Sequence, residues 1–353
     1  MTPAALRAAF GPIPRVALAI LPTPLQEARR LRDALGGPSK APRIFIKRDD
    51  LTGLALGGNK ARKLEFLVAD AIQNAADVLI TTGATQSNHA RMTAAAARAS
   101  GLDCHLVLTS KSTAPALQGN LLLDHVYGAT VHHVPAPDDP RIALGNDEAK
   151  VREVESALRA QGQRPYVIAV GGSSAVGSLG YTLATAELAE QLSAAALKPS
   201  RVYYASGSRG TQAGLTLGAK ACEAPYRLHG VAVSTGEPEK TERALNAATA
   251  AAALLGISTR VVREDLFTDN NFIGEGYGIP TPECLDAIAV LARTEGILLD
   301  PCYTGKAMGA LIAHARRGEL RPDETVVFLH TGGAPGMFTA DFARQVEQWE
   351  RPS

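Results

Sequence analysis

The sequence predicts an α/β protein built on open, twisted, mostly parallel sheets with helices on both faces. Two observations carry that expectation. Short apolar, β-branched runs alternate with longer alanine- and leucine-rich stretches along most of the chain, which is the rhythm of repeated βαβ units. Three of those runs also end in small polar turns, and the carboxyl ends of parallel strands are where such sheets bind ligands.

Taken in order, Arg43-Ile44-Phe45-Ile46-Lys47 reads as a short strand. Leu56-Gly57-Gly58-Asn59 reads as a tight turn, and the Leu64, Leu67, Val68 spacing beyond it is helical, so Lys60 falls at a helix start. Val78 to Thr82 is a buried strand bounded by Gly83. The alanine-rich stretch from Ala90 to Ser100 is a helix ended by Gly101, and His105 to Leu108 is the next strand. Val134 to Pro140, with three prolines and two aspartates, reads as an exposed surface loop and not as a domain boundary. Beyond it come a strand at Tyr166 to Val170, a helix at Tyr181 to Ala196 and a strand at Arg201 to Ala205. A helix at Thr211 to Ala221 and a strand at Leu228 to Ser234 follow, and a late apolar strand at Thr325 to Leu329 runs into Thr331-Gly332-Gly333. Alanine-rich helices such as Ala247 to Leu255 are the nearest approach to low complexity, and no repeat period is visible.

Composition bounds the function classes. A length of 353 residues allows a sizeable core and two or three lobes, and 46% hydrophobic with 20% charged residues is ordinary for a soluble globular protein. Lysine plus arginine exceeds the acidic count by one. No chain-wide field therefore draws in nucleic acid or an anionic membrane, and partners have to be argued from local sites. Cys104, Cys222, Cys284 and Cys302 lie far apart with no CxxC pair. That spacing predicts neither a disulfide framework nor a bound metal, and points to a reducing, cytoplasmic setting. Met1 to Pro14 is broken by three prolines and lacks the apolar core of a signal peptide, and no run approaches a membrane span.

Lys60 is the first residue with a claim to chemistry. The positive end of a helix dipole disfavours an ammonium there and favours a neutral amine, which is what Schiff-base chemistry requires. Three strand ends complete the picture. Gly83-Ala84-Thr85-Gln86-Ser87-Asn88-His89 leads into a helix, where backbone N–H groups with Ser87 and Asn88 suit a carboxylate; serine and asparagine are equally favoured there as plain N-caps. Ser206-Gly207-Ser208-Arg209-Gly210-Thr211 combines glycines and hydroxyls before another helix. Without a P-loop lysine or a full dinucleotide fingerprint it fits a single phosphate monoester, or an ordinary strand-to-helix turn. His330-Thr331-Gly332-Gly333 offers Thr331 as a neutral hydroxyl at the same sheet edge.

An imine-forming lysine, a phosphate cradle, a carboxylate turn and a neutral hydroxyl together describe pyridoxal phosphate holding an amino acid. Around them stand further landmarks in order: Pro22-Thr23-Pro24-Leu25, Lys47-Arg48-Asp49-Asp50-Leu51-Thr52-Gly53, Gly276-Tyr277-Gly278-Ile279-Pro280 and Asp300-Pro301-Cys302-Tyr303-Thr304-Gly305-Lys306. On these motifs nearly the whole chain resembles the fold-type II pyridoxal-phosphate enzymes, the tryptophan synthase β-like fold. Within them it resembles the group containing D-cysteine desulfhydrases, L-cysteate sulfo-lyases and 1-aminocyclopropane-1-carboxylate deaminases.

The resemblance implies a large cofactor domain from 1–60 and 175–353, a small domain from 61–174, and an active site in the cleft between them. It implies Lys60 as Schiff-base lysine. It implies Asn59, Asn88, Ser208, Arg209, Gly210, Thr211, Thr304 and Thr331 as further cofactor contacts. Ser87, Asn88 and His89 become the substrate-carboxylate turn, with Ser87, Tyr277 and Tyr303 catalytic beside Lys60. No metal is implied, the substrate is a small amino acid, and a homodimer is expected.

Deaminases of this group typically carry glutamate after the tyrosine matching Tyr303 and leucine at the position of Thr331; this chain has Thr304 and Thr331. A carboxylate near the pyridine nitrogen deepens the electron sink that ring opening uses, whereas β-elimination needs only a shallow one. The resemblance therefore favours elimination of sulfide from D-cysteine. L-Cysteate with sulfite as leaving group is the alternative, followed by the cyclopropane deaminase and a non-catalytic carrier of the cofactor. Two departures stand out: Arg209 occupies a phosphate-loop position usually held by a small residue, and Met92 replaces a more usual glutamine.

Overall fold

The computed structural model describes residues 1–136 and 147–349. Along the chain the strands are β1 (Leu25–Glu27), β2 (Arg43–Lys47), β3 (Val78–Ala84), β4 (Asp103–Ser110), β5 (Thr130–Pro135), β6 (Pro165–Ile168), β7 (Arg201–Ser206), β8 (Arg227–Ala232), β9 (Thr268–Asp269) and β10 (Thr325–Leu329). The helices are α1 (Pro3–Ala8), α2 (Arg29–Ala34), α3 (Lys60–Gln73), α4 (Asn88–Ala99), α5 (Gly119–Val126), α6 (Glu148–Ala160), α7 (Ala175–Ala194), α8 (Gly210–Ala221), α9 (Glu239–Leu254), α10 (Pro282–Glu295), α11 (Thr304–Arg316) and α12 (Ala340–Glu347).

The strands form two sheets. The six-stranded sheet has the order β1-β2-β10-β7-β8-β9, parallel except for the β1–β2 pair. The four-stranded sheet, β5-β4-β3-β6, is parallel throughout. Strand β3 is buried along its full length, which is why it reads as a continuous apolar run and not as an alternating one. Each sheet has its own apolar core. Ile44, Ile46, Tyr203, Leu311 and Phe328 pack under the larger, and Leu64, Leu79, Leu106 and Leu121 under the smaller. Each such side chain contributes about 1.5–3 kcal/mol by leaving water. Among the described residues no helix is long and apolar enough to cross a membrane.

Several boundaries differ from expectation for local reasons. Helix α7 begins at Ala175, six residues before Tyr181, capped by the Ser174 hydroxyl. Its first turns hold Gly177, Ser178 and Gly180, poor helix formers whose place is set by packing: a Cβ on Gly180 would stand 2.3 Å from the Arg62 carbonyl oxygen on α3. Strand β6 stops at Ile168 because the chain turns at Gly171, whose φ of +67° suits glycine. In the expected surface loop, Val134 and Pro135 close β5, while 137–140 lie outside the described residues.

A candidate cofactor and amino-acid site

One cavity gathers the ends of β3, β7 and β10 with the start of α3. Of the residues singled out from the sequence, Asn59, Lys60, Ser87, Asn88, His89, Ser208, Arg209, Thr211, Tyr277, Tyr303 and Thr331 all line it. Gly210 stands just behind its wall as the first residue of α8, and its N–H donates to the Ser173 hydroxyl. Thr304 does not line the cavity. It is fully buried at the start of α11, donating from its backbone N–H and its hydroxyl to Asp300 Oδ1, each at 2.7 Å.

Lys60 is delivered by a turn that only glycine can make. Gly57 has φ +75°, and a Cβ there would stand 1.8 Å from the Asp50 carbonyl oxygen. Asn59 then anchors the turn: its backbone N–H donates to the Thr331 carbonyl at 3.0 Å and its amide to the Thr211 hydroxyl at 3.1 Å. Lys60 is the first residue of α3, and burial alone, with no carboxylate beside it, lowers its pKa to about 8. One turn further on, Lys63 is fully buried with its ammonium on the Gly171 carbonyl at 3.1 Å. Burial and then repulsion from Lys60 hold its pKa well below the usual lysine value.

The start of α8 makes a small, glycine-walled cradle. Ser173 donates to the Ser208 hydroxyl at 2.8 Å, and a Cβ on Gly210 would stand 2.7 Å from Ser173 Oγ and 2.9 Å from Lys63 Nζ. A helix N-terminus, two serine hydroxyls and a buried ammonium converge there, which is the donor set of a phosphate. Arg209 caps α8 in the left-handed region at φ +73°, a strained state for a residue with a Cβ. Its guanidinium is engaged with Gln212, Thr268 and Glu237, so the charge is matched within the protein.

On the opposite wall Ser87 is the N-cap of α4, its hydroxyl accepting from the Ala90 N–H at 3.1 Å, which is the plain capping reading. The Asn88 side-chain amide oxygen Oδ1 accepts from the Arg91 guanidinium at 3.1 Å. His89 shares a hydrogen bond with the Thr81 hydroxyl through Nε2, while its buried Nδ1 has no hydrogen-bond partner among the described residues. Burial, reinforced by Lys60 and Lys63, keeps this imidazole neutral. The Tyr277 and Tyr303 hydroxyls bond to each other across rings set edge to face. Burial raises both pKa values well above the phenol range, so both hydroxyls keep their protons.

Two observations bear on what the cavity accepts. Among the described residues two buried lysines stand without a carboxylate beside them, and a glycine cradle opens at a helix N-terminus. Together they ask for an anion with a ring-sized body, and the donor set fits pyridoxal phosphate. Sequence reading passed over Lys63, Ser173 and Gly171 in this cradle; the signal for Lys63 is its spacing of three from Lys60, which places both on one helix face.

Comparison with known proteins agrees with this chemistry. Residues 16–332 match the family described as pyridoxal-phosphate dependent enzyme. The chain is 42% identical over 329 residues to the D-cysteine desulfhydrase of Salmonella choleraesuis (strain SC-B67), covering 92% of this chain and 95% of that protein. It is 41% identical over 329 residues to the enzyme of the same name from Salmonella paratyphi C (strain RKS4594), with the same coverage. Among solved structures, an ACC deaminase homologue superposes with a TM-score of 0.84 at 38% identity over 97% of this chain and 98% of that one. A T.th. threonine deaminase shares the fold, with a TM-score of 0.63 at 21% identity over 94% of this chain and 98% of that one.

Proposed function

The chain belongs to the pyridoxal-phosphate-dependent enzymes, and from that premise we propose that it cleaves D-cysteine to pyruvate, sulfide and ammonia with uptake of one water. The observation that carries the substrate is the 42% identity with a D-cysteine desulfhydrase over 92% of the chain.

Bound pyridoxal phosphate supplies an electrophilic carbon for amines and a conjugated ring that takes up the electron pair left by the α-proton. The protein's part follows from its own residues. The α8 N-terminus with Ser208, Gly210, Thr211 and Lys63 holds the phosphate, Asn59 and Asn88 position the ring, and Thr331 presents a neutral hydroxyl to it. The α4 N-terminus with Ser87 and Asn88 takes the substrate carboxylate. With a pKa of about 8, about a tenth of Lys60 is neutral at pH 7, against less than a thousandth for an ordinary lysine, so Lys60 is fit to accept the α-proton. The protonated Tyr277–Tyr303 pair is a proton source for the departing sulfur.

L-Cysteate is the second reading, because Lys240 and Arg243 line the same cavity and could meet a sulfonate. The group's deaminase pattern is disfavoured by Thr304 and Thr331. Burial, aided by Arg209 and Arg243, lowers Lys240 to about 8 while its ammonium donates to the Ser234 carbonyl. Assaying the holoenzyme for pyruvate, sulfide and sulfite with D-cysteine, L-cysteine, L-cysteate, D-serine and 1-aminocyclopropane-1-carboxylate decides among these. Sulfide with pyruvate from D-cysteine is expected. Sulfite from L-cysteate at a higher kcat/KM would replace this reading, and no pyruvate from any of them would favour a carrier.

We also assign the two sheets to two domains, 1–60 with 175–353 and 61–174, with the cavity in the cleft between them. A homodimer in the cytoplasm completes the proposal; light scattering of the purified protein tests the first part. The four free cysteines are compatible with the second.

A further inference from the structure

Away from the cavity, at the β8–β9 edge of the larger sheet, three side chains far apart in sequence converge. His229 projects from β8, Asp269 from β9 and His314 from α11. Their ligating atoms all lie within 4.8 Å of one another, and all three side chains are nearly or fully shielded from solvent. His229 Nε2 stands 3.3 Å and His314 Nε2 3.5 Å from the same oxygen, Asp269 Oδ2. Ordinary N–H···O bonds close to about 2.9–3.0 Å. The two His–Asp separations, 3.3 and 3.5 Å, lie near the ~3.3–3.4 Å edge of a tetrahedron whose centre is ~2.0–2.1 Å from each corner, the bond length of zinc to nitrogen and carboxylate oxygen, while the 3.3 Å contact is also within reach of a long hydrogen bond.

The outer groups hold this geometry. Asp269 Oδ1 accepts from the Asn271 N–H and amide, both at 2.9 Å, which leaves Oδ2 for the histidines. His314 Nδ1 is 3.0 Å from the Tyr203 hydroxyl, a contact that turns Nε2 towards Asp269. Phe267 packs on the His229 ring and Phe272 on the His314 ring, fixing both orientations. Three charged groups stand around the triad. Arg201 reaches the Tyr203 hydroxyl at 3.4 Å, and Arg317 pairs with Glu319 at 3.7 Å. Glu319 itself lies 3.8 Å from His314 Nε2 with its side chain half exposed, so solvent can reach the triad on that side, where one carboxylate faces it beside the two arginines.

We propose that His229, Asp269 and His314 bind one divalent transition-metal ion of zinc's class, at a site separate from the cofactor cavity. Two imidazoles and a carboxylate are the borderline ligands such ions select, and the open side leaves a fourth position. The ion joins β8 and β9 to α11, the helix that starts beside Tyr303, so its role is to fasten the element carrying that tyrosine. The sequence gives no hint of it, because the ligands come one each from three elements and form no short motif.

The test is direct. Holoenzyme is stripped with chelator, equilibrated with Zn2+, and its metal content and thermal midpoint are measured beside Asp269→Asn and His314→Gln. One zinc per chain is expected in the wild type, with a raised midpoint. Each variant should weaken zinc binding by more than the ~10–100-fold that an outer-shell change costs, while cofactor absorbance is kept. Wild-type holoenzyme that retains no zinc overturns the proposal, and this needs no variant to fold. Zinc held equally well by both variants overturns it too, because the metal would then sit elsewhere, for example on Cys222 or Cys302.

Discussion

Helix α3 carries two kinds of buried cation within one turn. Arg62 is 2% exposed and its guanidinium is fully matched: it donates twice to Asp49, twice to Glu187 and once to the Thr23 hydroxyl, at 2.8–3.0 Å. Burial opposes its charge, but the two carboxylates outweigh that and raise its pKa further. Tyr181 and Lys47 close the network around the same acids. Lys60 and Lys63, two residues before and one after, have no carboxylate beside them among the described residues, and burial pulls both pKa values down. A charge the protein matches for itself is scaffold; a buried charge it leaves unmatched is addressed to something that arrives.

That contrast breaks most visibly at Lys60. Lys60→Ala removes the amine we propose both captures the cofactor's carbonyl and acts as base, and should lower turnover by at least ~10³-fold while leaving the fold intact. Turnover near wild type, with the cofactor's visible absorbance unchanged, would refute the assignment. Arg62→Met should do the reverse. Removing one partner of a buried cluster strands Asp49 and Glu187 without their main counter-charge, a loss of about 3–5 kcal/mol in unfolding free energy by urea titration. An unaltered urea midpoint would mean that the cluster is not the scaffold argued above.

Lys63→Met sharpens the distinction, since it should separate binding from stability. Losing a charged hydrogen bond to the phosphate costs about 1.5–3 kcal/mol, or roughly ten- to a hundredfold in cofactor dissociation constant. The apoprotein, relieved of a buried lone cation, should melt no lower than wild type. A lower apoprotein midpoint with unchanged cofactor affinity would make Lys63 part of the scaffold after all.

The sequence carried much of this site and little of this contrast. Arg43–Lys47 and Thr325–Leu329 are legible as strands because buried strands of a parallel sheet are continuous apolar runs. That they pair side by side, Arg43 against Thr325 and Lys47 against Leu329, is a matter of topology that no local window contains. Ser87 and Ser208 were legible because strand-to-helix turns concentrate small polar residues, whereas Lys63 lay in what reads as ordinary amphipathic helix. Thr304 is the instructive case. Its motif suggested a hydroxyl facing the cofactor ring, yet the fold engages it with Asp300, which also accepts the Cys302 and Tyr303 N–H groups in the turn entering α11. Asp300 stands three residues before the N-cap Tyr303, outside the positions where a capping signal is read from sequence.

The smallest expected effect is one of pH, and it tests whether Lys60 is neutral enough to react. Only the unprotonated amine attacks a carbonyl, and with a pKa of about 8 its fraction rises roughly tenfold from pH 6 to 7, about fivefold from 7 to 8, and then levels. The rate at which apoenzyme captures pyridoxal phosphate, divided by that of Nα-acetyl-lysine under the same conditions to remove the reagent's own titration, should therefore fall steadily above pH 8. There the protein's amine is mostly neutral, while the ε-amine of Nα-acetyl-lysine continues to deprotonate towards its ordinary value near 10.4. A ratio that stays flat to pH 10 would mean that Lys60 behaves as an ordinary surface lysine. The difference between it and Arg62 would then lie in geometry alone and not in the burial of an unmatched charge.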